Sequence, residues 1–431
     1  MTKLHFFNLF GNTGAYLSSK QIDRLLLLAF GISQSKSVNM AYINDAILLT
    51  ESGCKNDASQ YKHLLKVFQT GDFENIIRNS FQLVVIYFYG GQEHVKLVVD
   101  RTNWELGTSK INILTIGLLT ENDIFIPLIW KDLAHKGNSD SQQRIDLIDK
   151  LLTWWKALEI PLPTFEICGD REFIGEYWLT ALAQRNINYV IRLRCNLSFE
   201  TWLNGEYRVE QSYNIVTLHR YMRLFKKKSV EVVLQNEAIA QVFVVKNEGN
   251  DVKKEPYIYF ITNLDDIDEA ALAYRKRWKI EVFFKYMKTQ GFNLEDFNMD
   301  GQHKVDIMMA VLSMVFLVVL ELESENRTPK ISLEKDEKDE KDEKDEKDEK
   351  DEKDEKAVLI EKNEVEMIEK PITYKNGKTY SRKSVFRKGL SALTKIRFFE
   401  NFRVLCRKIM DTVFHKYLFL NHLYINNRYV Q

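Results

Sequence analysis

Residues 81–195 change their hydrophobic pattern once, from consecutive strands to alternating helices and strands. Four apolar runs rich in β-branched and aromatic side chains come first, separated by Gly, Asn and Asp: FQLVVIYFYG, HVKLVVD, INILTIGLLT and DIFIPLIW. They predict three or four consecutive strands in an antiparallel meander. Next come a helix, a strand, a helix and a strand: QQRIDLIDKLLTWWKAL, TFEICGD, FIGEYWLTALAQR and NYVIRLR. Because this alternation is typical of parallel βαβ units, we predict an α/β fold with a mixed sheet flanked by helices.

The rest of the chain divides where the pattern or the composition changes. Residues 1–80 contain short helical patterns, which indicate either a small DNA-binding domain or a helical cap with no role in nucleic-acid binding. Residues 196–262 contain strand-like runs such as SVEVVL and EPYIYFIT and no convincing helix, so they predict an inserted β domain. We therefore predict six segments: a helical N-terminal domain (1–80), the first part of the core (81–195), the β insertion (196–262), the last part of the core (263–326), a charged linker (327–370) and a basic helical C-terminal region (371–431).

Basic and acidic side chains are equal in number, at 61 each, but they are unevenly distributed. Glu334–Lys356 is a Glu-Lys-Asp repeat with 8 lysines and 15 acidic residues, and the chain without it has 53 basic and 46 acidic residues. The repeat places like charges at i,i+3, which predicts partial helix or disorder in an expanded linker rather than an acidic DNA mimic. Residues 371–431 carry 13 lysines and arginines against Glu400 and Asp411, which predicts a phosphate-binding surface.

Several classes of protein are excluded by what the sequence lacks. The four cysteines form no CxxC pair, which favours a reducing cytosol over a disulfide framework or a zinc ribbon. No HExxH, GxxxxGK[ST] or GxGxxG motif occurs, so zinc and nucleotide sites have no support. The apolar run Ile307–Leu320 has 14 residues, fewer than the roughly 20 that span a bilayer, and it predicts a buried core helix. The N-terminus lacks a secretory signal, so we expect a cytoplasmic protein with no membrane partner.

Two aspartates follow apolar strands of the predicted sheet. Asp100 ends the predicted strand HVKLVVD, and Asp170 ends the predicted strand TFEICGD. Functional sites commonly lie at the carboxyl ends of such strands. One aspartate in this position is more often a turn residue, but two of them favour a site.

A predicted helix after the insertion carries further polar residues on one side. The segment LDDIDEAALAYRKRWKIEVFFKYMK starts with Asp265 or Asp266 as a plausible N-cap. Its polar stripe consists of Tyr274, Arg277, Glu281 and Lys288. At about 100° per residue these positions fall within an arc of about 60°, opposite an apolar face that can pack on the sheet. A solvated face with charge pairs would look the same, but an acid among basic residues is also what a site for metal and phosphate requires.

Asp100, Asp170 and Glu281 together predict a metal site. Three carboxylates from two strands and a helix can hold two divalent ions, and hard oxygen ligands favour Mg²⁺ or Mn²⁺. Two such ions promote an in-line phosphoryl displacement. Arg277 would make bidentate contacts with a neighbouring phosphate, and Lys288 would supply a point charge.

The same residues resemble a known family. The spacing Tyr-x2-Arg-x3-Glu-x6-Lys in YRKRWKIEVFFKYMK resembles the signature of insertion sequence 4 family DDE transposases. DRTNW at 100–104 and GDREF at 169–173 resemble the two aspartate motifs of that family. The segments HKGNSDSQQR and, more weakly, RKGLSAL also resemble family segments. The resemblance covers roughly residues 90 to 400, and the charge repeat interrupts it.

The resemblance implies an RNase H-like core whose sheet carries Asp100 and Asp170, with a β insertion before the helix of Glu281. It implies a DNA transposase that nicks the double-stranded ends of its own element, in some members through a hairpin, and joins the freed 3′-hydroxyl to target DNA. It also implies that DNA ends are held by Tyr274, Arg277 and Lys288. A family tryptophan that stacks on a flipped base would correspond to Trp202, although a lone tryptophan in a β domain more often has a packing role.

The partners and the alternatives follow from the same resemblance. Pairing of two element ends implies at least a homodimer in a synaptic complex, in the nucleoid-associated cytosol of a bacterium or archaeon. A catalytically inactive, transposase-derived DNA-binding protein is the alternative, and the intact Asp100, Asp170 and Glu281 argue against it. A structure-specific nuclease on the same core would cut DNA without joining it.

Overall fold

The computed structural model describes residues 17–327, 372–373, 379–380 and 385–428, with gaps at 70, 72, 107–108, 204–205, 235–237, 248–254 and 300. These residues form two compact units. One unit holds the described residues of 1–315 and 398–431, and the other holds those of 316–397. The Glu-Lys-Asp repeat lies outside the described residues, so its partial helix or disorder stays a prediction.

Four helices precede the core: α1 (Ser19–Ser35), α2 (Met40–Asp45), α3 (Leu49–Ser52) and α4 (Asp57–Leu65). Helix α1 begins with a capping box, in which the Ser18 side chain accepts from the Gln21 N–H and the Gln21 side chain accepts from the Ser18 N–H. Leu28 and Ile32 are fully buried on its inner face. The helical pattern expected before residue 80 is therefore present, while a DNA-binding role for these helices stays a prediction.

Helix α5 (Phe73–Phe88) contradicts one predicted strand. The run FQLVVIYFYG, which we interpreted as a strand, forms the second half of this helix and the two residues after it. Val84, Val85 and Ile86 are all fully buried, so consecutive residues of this part of the helix face the interior, and the run is apolar almost throughout. A short apolar run fits a buried strand and a buried helix equally well, and here packing decides for the helix.

Five strands form the core sheet and confirm the predicted α/β fold. The antiparallel meander consists of β1 (His94–Leu106), β2 (Ser109–Leu119) and β3 (Phe125–Asp132). After α6 (Ser141–Lys156) comes β4 (Thr164–Gly169), and after α7 (Glu176–Gln184) comes β5 (Asn188–Arg192). Strand β4 pairs in parallel with both β1 and β5, which gives the order β3-β2-β1-β4-β5. This mixed sheet with flanking helices has the expected RNase H-like architecture.

The strands of residues 196–262 extend the same sheet. They are β6 (Ser198–Leu203), β7 (Glu206–Asn214), β8 (Ser229–Val233), β9 (Ile239–Lys246) and β10 (Tyr257–Thr262). Beyond β5 the order continues β10-β9-β8-β6-β7, so the sheet has ten strands. The insertion is thus rich in strands as predicted, and its boundaries as a separate domain stay a prediction.

The insertion also contains a helix that the sequence interpretation missed. Helix α8 (Ile215–Leu224) lies between β7 and β8, and the Asn214 side chain caps it by accepting from the Thr217 N–H at 2.8 Å. Its buried residues, Ile215, Leu218 and Met222, follow helical spacing. The expectation of no convincing helix in this segment is therefore wrong, because the helical spacing of Ile215, Leu218 and Met222 occupies only ten residues between strands.

The helix that carries the polar stripe is not uniform. Helix α9 (Ile267–Arg275) starts after Asp266, whose side chain accepts from two backbone N–H groups as the predicted N-cap. A 3₁₀ turn (Lys276–Trp278) separates α9 from α10 (Lys279–Lys285), and a π-helical turn (Tyr286–Gln290) follows. The predicted continuous helix is therefore interrupted at its centre and changes its winding near its end.

Helix α11 (Gln302–Arg327) contains the long apolar run. Its segment His303–Glu323 is long and apolar enough to cross a membrane, but 78% of the most apolar stretch is buried inside the protein. A single helix of this kind is weak evidence for a membrane span, because a core helix has the same composition. Nearly all of Ile307–Leu320 is buried, as predicted for a core helix.

The C-terminal helices belong to different units. In the second unit, α12 (Val385–Leu393) packs on the end of α11, where the rings of Phe316 and Phe386 stack at 5.2 Å. Gly389 of the RKGLSAL segment lies so close to the backbone of Val319 that no Cβ would fit. In the first unit, the long α13 (Phe399–Arg428) packs on α1 through aromatic rings around Phe30. A phosphate-binding role for this basic region stays a prediction.

Candidate active site

The register of the core sheet places Asp100 and Asp170 side by side. The parallel pairing of β1 with β4 ends at the pair Val99 and Gly169, so each aspartate is the next residue on its own strand. Asp100 does not end a strand, as the sequence suggested, because β1 continues to Leu106 through its pairing with β2. The two residues are neighbours because the parallel pairing ends there, not because both strands end.

The space around Gly169, the residue before Asp170, is too small for a side chain. A Cβ at this position would lie 2.9 Å from Ile191 Cδ1 and 3.0 Å from Val99 Cγ1. The turn after it is closed by a hydrogen bond of 2.9 Å from the Phe173 N–H to the Asp170 carbonyl oxygen. The glycine thus lets β4 pack closely between its neighbours, and the turn directs the chain away after Asp170.

Arg277 connects the helix to the sheet by bridging two carboxylates. Its Nη1 donates to Asp100 Oδ2 at 2.9 Å, and its Nη2 donates to Glu281 Oε1 at 2.6 Å. Asp100 and Glu281 therefore lie at two corners of one guanidinium group. Burial alone would lower the pKa of Arg277, but the nearby Tyr274 and the acidic groups raise it above its usual value. The guanidinium is therefore firmly charged in its buried position.

Asp100 has an unusual environment for a carboxylate. Burial raises its pKa, the charge of Arg277 and the Arg101 N–H oppose this effect, and the charges of Glu281 and Asp170 add to it, so that the pKa is about 6. Because burial disfavours the ionised form of this carboxyl group, a neighbouring cation stabilises that form strongly. Such perturbed groups concentrate at functional sites.

Asp170 is held by a different pair of side chains. The Tyr274 hydroxyl donates to Asp170 Oδ1 at 3.4 Å, and Arg192 Nη1 lies 3.9 Å from the same oxygen. Burial raises the pKa of Tyr274 to about 12, so its hydroxyl stays protonated and remains a donor. Arg192 is also paired with Glu255, at 2.6 Å from its Nη2. Its contact with Asp170 is therefore the weaker of its two.

Lys288 lies apart from the carboxylates, further along β1. Its ammonium group donates to the Asn103 carbonyl oxygen at 2.7 Å and lies 3.2 Å from Glu295. It also lies 5.3 Å from the centre of the Trp104 ring. The structure thus brings Tyr274, Arg277 and the three carboxylates into one connected group, and it places Lys288 beside that group.

The sequence interpretation did not identify several residues that order the site. Arg101 forms a two-pronged contact with Glu172 at 3.0 and 3.1 Å and donates to Asn112 and Asn138. It therefore ties the DRTNW segment to GDREF and HKGNSDSQQR. Arg101 and Glu172 lie inside the segments that resemble the family, which was the available signal, but a sequence does not show which charge faces which.

Arg144, the last residue of HKGNSDSQQR, fixes the turn after β4 from the other side. It is buried, donates to the Ser139 hydroxyl at 2.8 Å and to the carbonyl oxygen of Glu172 at 3.0 Å, and lies over the Phe173 ring. This segment therefore positions the Asp170 turn.

Trp202 lies in β6, where its backbone is opposite Tyr207. Its side chain lies outside the described residues, so base stacking by Trp202 stays a prediction.

The three candidate carboxylates have the right donor chemistry for a divalent ion. All would offer hard oxygen atoms, which suit Mg²⁺ and Mn²⁺. Among the described residues, no three His, Cys, Asp or Glu side chains lie close enough together to hold a metal ion. The guanidinium of Arg277 lies between Asp100 and Glu281 and donates to both. The three oxygen donors therefore suit the metal in chemical type, while in this arrangement a guanidinium, not a third carboxylate, lies next to Asp100 and Glu281.

Comparison with known proteins gives an independent result. The sequence model of one family, described as the transposase DDE domain, matches residues 92–318, more than half of the 431 residues. The match includes the core sheet, the insertion and the helices that carry Arg277 and Glu281. No curated protein matches the chain. The chain therefore belongs to the transposase DDE domain family.

Proposed function

We propose that this transposase cuts DNA at the ends of its own element and joins the freed 3′-hydroxyl to target DNA, with Asp100, Asp170 and Glu281 as its catalytic and metal-binding residues. The observation that carries the proposal is the register of β1 and β4, which places Asp100 and Asp170 side by side, while Arg277 ties Glu281 to Asp100. The Tyr-Arg-Glu-Lys spacing further supports membership of the insertion sequence 4 family.

Asp100, Asp170 and Glu281 would hold Mg²⁺ or Mn²⁺, as two ions. Held there, the ions would supply a lower pKa for the attacking hydroxyl or water and positive charge beside the leaving oxygen. In the first step a water oxygen forms a bond to phosphorus, and the 3′-oxygen leaves with a proton. In the second step that 3′-hydroxyl forms the new bond to a target phosphate, the target strand's 3′-oxygen leaves, and the number of phosphodiester bonds is conserved.

The remaining polar residues would hold the DNA end. Arg277 has the planar geometry for two hydrogen bonds to a phosphate once it leaves the carboxylates. Tyr274 stays protonated and orients Asp170, and Lys288 supplies a positive charge next to Trp104. Trp202 remains the candidate for stacking on a flipped base.

The assembly and the cell compartment belong to the same proposal. Two element ends must be cut in one complex, so we propose a homodimer that binds double-stranded element ends and target DNA. A cytosolic, nucleoid-associated location follows from the substrate. An inactive DNA-binding relic is not favoured, because all three carboxylates are present and connected.

The test uses labelled duplexes that carry the inverted repeats flanking the gene, incubated with Mg²⁺ or Mn²⁺. Wild-type protein is compared with Asp170→Asn and with Asp146→Asn, which changes an exposed carboxylate on α6 that pairs with Lys131. We expect nicks and joined products from the wild type and Asp146→Asn, and none from Asp170→Asn.

The products separate the alternatives. Specific binding without cleavage in either metal would contradict the proposed activity and favour a DNA-binding relic. Nicks without joined products, lost in Asp170→Asn, would favour a structure-specific nuclease.

A further inference from the structure

The helix that the sequence interpretation missed ends in a dense run of positive charge. Residues 220–228, RYMRLFKKK, carry five basic side chains and no acidic one. We name residues 220–228 the basic segment. Residues 223–228 are all exposed, and so is Arg220. Such a run on a folded surface attracts a polyanion.

Few of these charges are used inside the protein. Lys228 pairs with Asp268 at 2.7 Å, and Lys227 lies over the Tyr221 ring at 5.4 Å. The side chains of Arg220, Arg223 and Lys226 make no hydrogen bond or salt bridge within the part of the chain that the structure describes. A cation near the C-terminus of a helix stabilises the helix by about 0.3–1 kcal/mol. This effect is confined to the last turn, so it does not explain a run of five basic residues.

The fold holds the basic segment outward. Helix α8 buries Ile215, Leu218 and Met222 against the sheet, so Arg220 and Arg223 lie on its exposed side. Lys226 has a positive φ of 52°, which ends the helix and leads the chain into β8. The segment is therefore a fixed part of the insertion and presents its charges on a defined surface.

Strand register connects this segment to the candidate active site. Ser229, the next residue after the segment, is opposite Phe243, which is opposite Phe260, which is opposite Arg192. On the neighbouring strands β5 and β4, Ile191 is paired with Gly169. Arg192 and Asp170 are the next residues after this pair, so they lie at the same level of the sheet. The basic segment thus ends on the same line across the sheet as Asp170 and Asp100.

The length of that line can be estimated from strand spacing. From β1 to β8 there are five steps between neighbouring strands. At about 4.8 Å per step they span about 24 Å along the sheet. Base pairs are about 3.4 Å apart along a duplex, so this distance corresponds to about seven base pairs.

We propose that the basic segment binds the phosphate backbone of the duplex element end about seven base pairs from the phosphate that is cut. The inference rests on the proposed function, because it takes Asp100 and Asp170 as the place of cleavage. Arg220, Arg223 and Lys226 bind phosphates without reading the base sequence, since their charges and hydrogen-bond donors suit the backbone. The insertion thereby sets the register of the DNA on the catalytic sheet.

The test compares two triple variants with the wild type. In one, Arg220→Gln, Arg223→Gln and Lys226→Asn remove three charges, and Asn is chosen because it accepts the positive φ at 226. In the matched control, Arg220→Lys, Arg223→Lys and Lys226→Arg keep the charges. Both must keep the wild-type melting temperature and circular dichroism spectrum.

Binding is measured without Mg²⁺ on two duplexes, which extend about 5 or about 12 base pairs on either side of the cut position, at about 3.4 Å per base pair. The shorter duplex ends before the proposed contact, and the longer one includes it. On the longer duplex, the neutral variant should lose about tenfold or more in affinity. Its slope of log affinity against log salt should become shallower by about 2.7, or 0.9 for each lost phosphate contact. The charge-conserving variant should behave as wild type, and on the shorter duplex all three proteins should bind alike.

Equal affinity and equal salt slope for the wild type and the neutral variant on the longer duplex would overturn the inference. An equal loss on both duplexes would also overturn it, because the contact would then lie next to the cut. Binding that depends on the segment, together with a failure to cut DNA under any metal, would overturn the proposed function and leave the DNA contact standing. Cleavage of DNA by the wild type, together with binding that does not depend on the segment, would overturn this inference and leave the proposed function standing.

Discussion

The guanidinium group of Arg277 lies 2.9 Å from the carboxylate of Asp100, a residue 177 positions away in the sequence. The same group lies 2.6 Å from Glu281. Two of the three proposed metal ligands are therefore already neutralised by a side chain of the protein. A divalent ion bound by these carboxylates would compete with Arg277, and a DNA phosphate is a suitable new partner for a displaced guanidinium. We therefore expect metal binding and DNA binding to favour each other.

Replacing Arg277 with glutamine should change the behaviour of the protein without DNA in two ways. The variant should be less stable without metal, by about 3 kcal/mol, because Asp100 would remain buried without its partner. It should also bind Mn²⁺ about tenfold more tightly, equivalent to about 1.4 kcal/mol, because no guanidinium competes for the carboxylates. Thermal melting with and without Mn²⁺ measures the first effect, and electron paramagnetic resonance of free Mn²⁺ measures the second.

The control for this experiment is Arg403→Gln, which removes an arginine that pairs with Asp23 on the surface. It should leave Mn²⁺ affinity unchanged. An Arg277→Gln variant with wild-type Mn²⁺ affinity would show that the guanidinium does not compete with the metal.

A double-mutant cycle on Arg101 and Glu172 should show strong coupling. These side chains make two contacts of 3.0 and 3.1 Å and are largely shielded from solvent. We expect Arg101→Met and Glu172→Gln each to cost about 2–3 kcal/mol of unfolding free energy, and the double variant to cost clearly less than the sum. Urea denaturation of the four proteins measures the coupling.

The exposed pair of Lys136 and Glu105, at 2.9 Å, provides the comparison cycle. Its partners are surrounded by solvent, so the same analysis should give no measurable coupling. Additive effects at Arg101 and Glu172 would mean that the contact does not hold the Asp170 turn.

The sequence predicted the parts of the fold that have a clear period. Strands β1–β5 and helices α6 and α7 lie where the alternation of patterns places them, and Asp266 is the N-cap of α9 as expected. Helix α5 was interpreted as a strand because residues 81–88 form a nearly continuous apolar run that fits either element, and α8 was missed because it lies among strand-like runs.

The site was predicted as a set of residue types but not as a set of contacts. Strand ends and helical spacing singled out Asp170 and Glu281. The adjacency of Asp100 and Asp170 depends on where parallel pairing ends, and the bridge through Arg277 depends on a contact over 177 positions. Arg192 was not identified at all, because its contact with Asp170 requires the register of β4 and β5. Such relationships come from tertiary structure, which one sequence does not display.

Gly169→Ala should destabilise the sheet next to the site. The new methyl group would lie 2.9 Å from Ile191 Cδ1, 3.0 Å from Val99 Cγ1 and 3.1 Å from Phe173 Cβ, so neighbours on three sides must move. We expect a loss of about 1–3 kcal/mol in unfolding free energy, measured by urea denaturation. Gly71→Ala is the control, because a Cβ there meets nothing within 4 Å. Equal stability of the two variants would mean that β4 has room to shift.

Asp306→Asn should raise stability more at high pH than at low pH. Burial raises the pKa of Asp306, the charge of Asp132 adds to this effect and Lys150 opposes it, so that the pKa is about 7. In the unfolded chain an aspartate titrates near about 3.9. Between these values the unfolded state binds fewer protons than the folded state, so the contribution of Asp306 to stability falls as the pH rises.

The asparagine side chain cannot ionise and does not incur this loss. The unfolding free energy of the variant minus that of the wild type should therefore increase by about 2–4 kcal/mol from about pH 4 to about pH 8. Urea denaturation at several pH values measures the difference. Asp146→Asn, at a side chain that is 52% exposed, should give a nearly constant difference over the same range. A constant difference for Asp306→Asn as well would place the pKa of Asp306 near its ordinary value, which would mean that its carboxylate is better solvated or paired than its buried position implies.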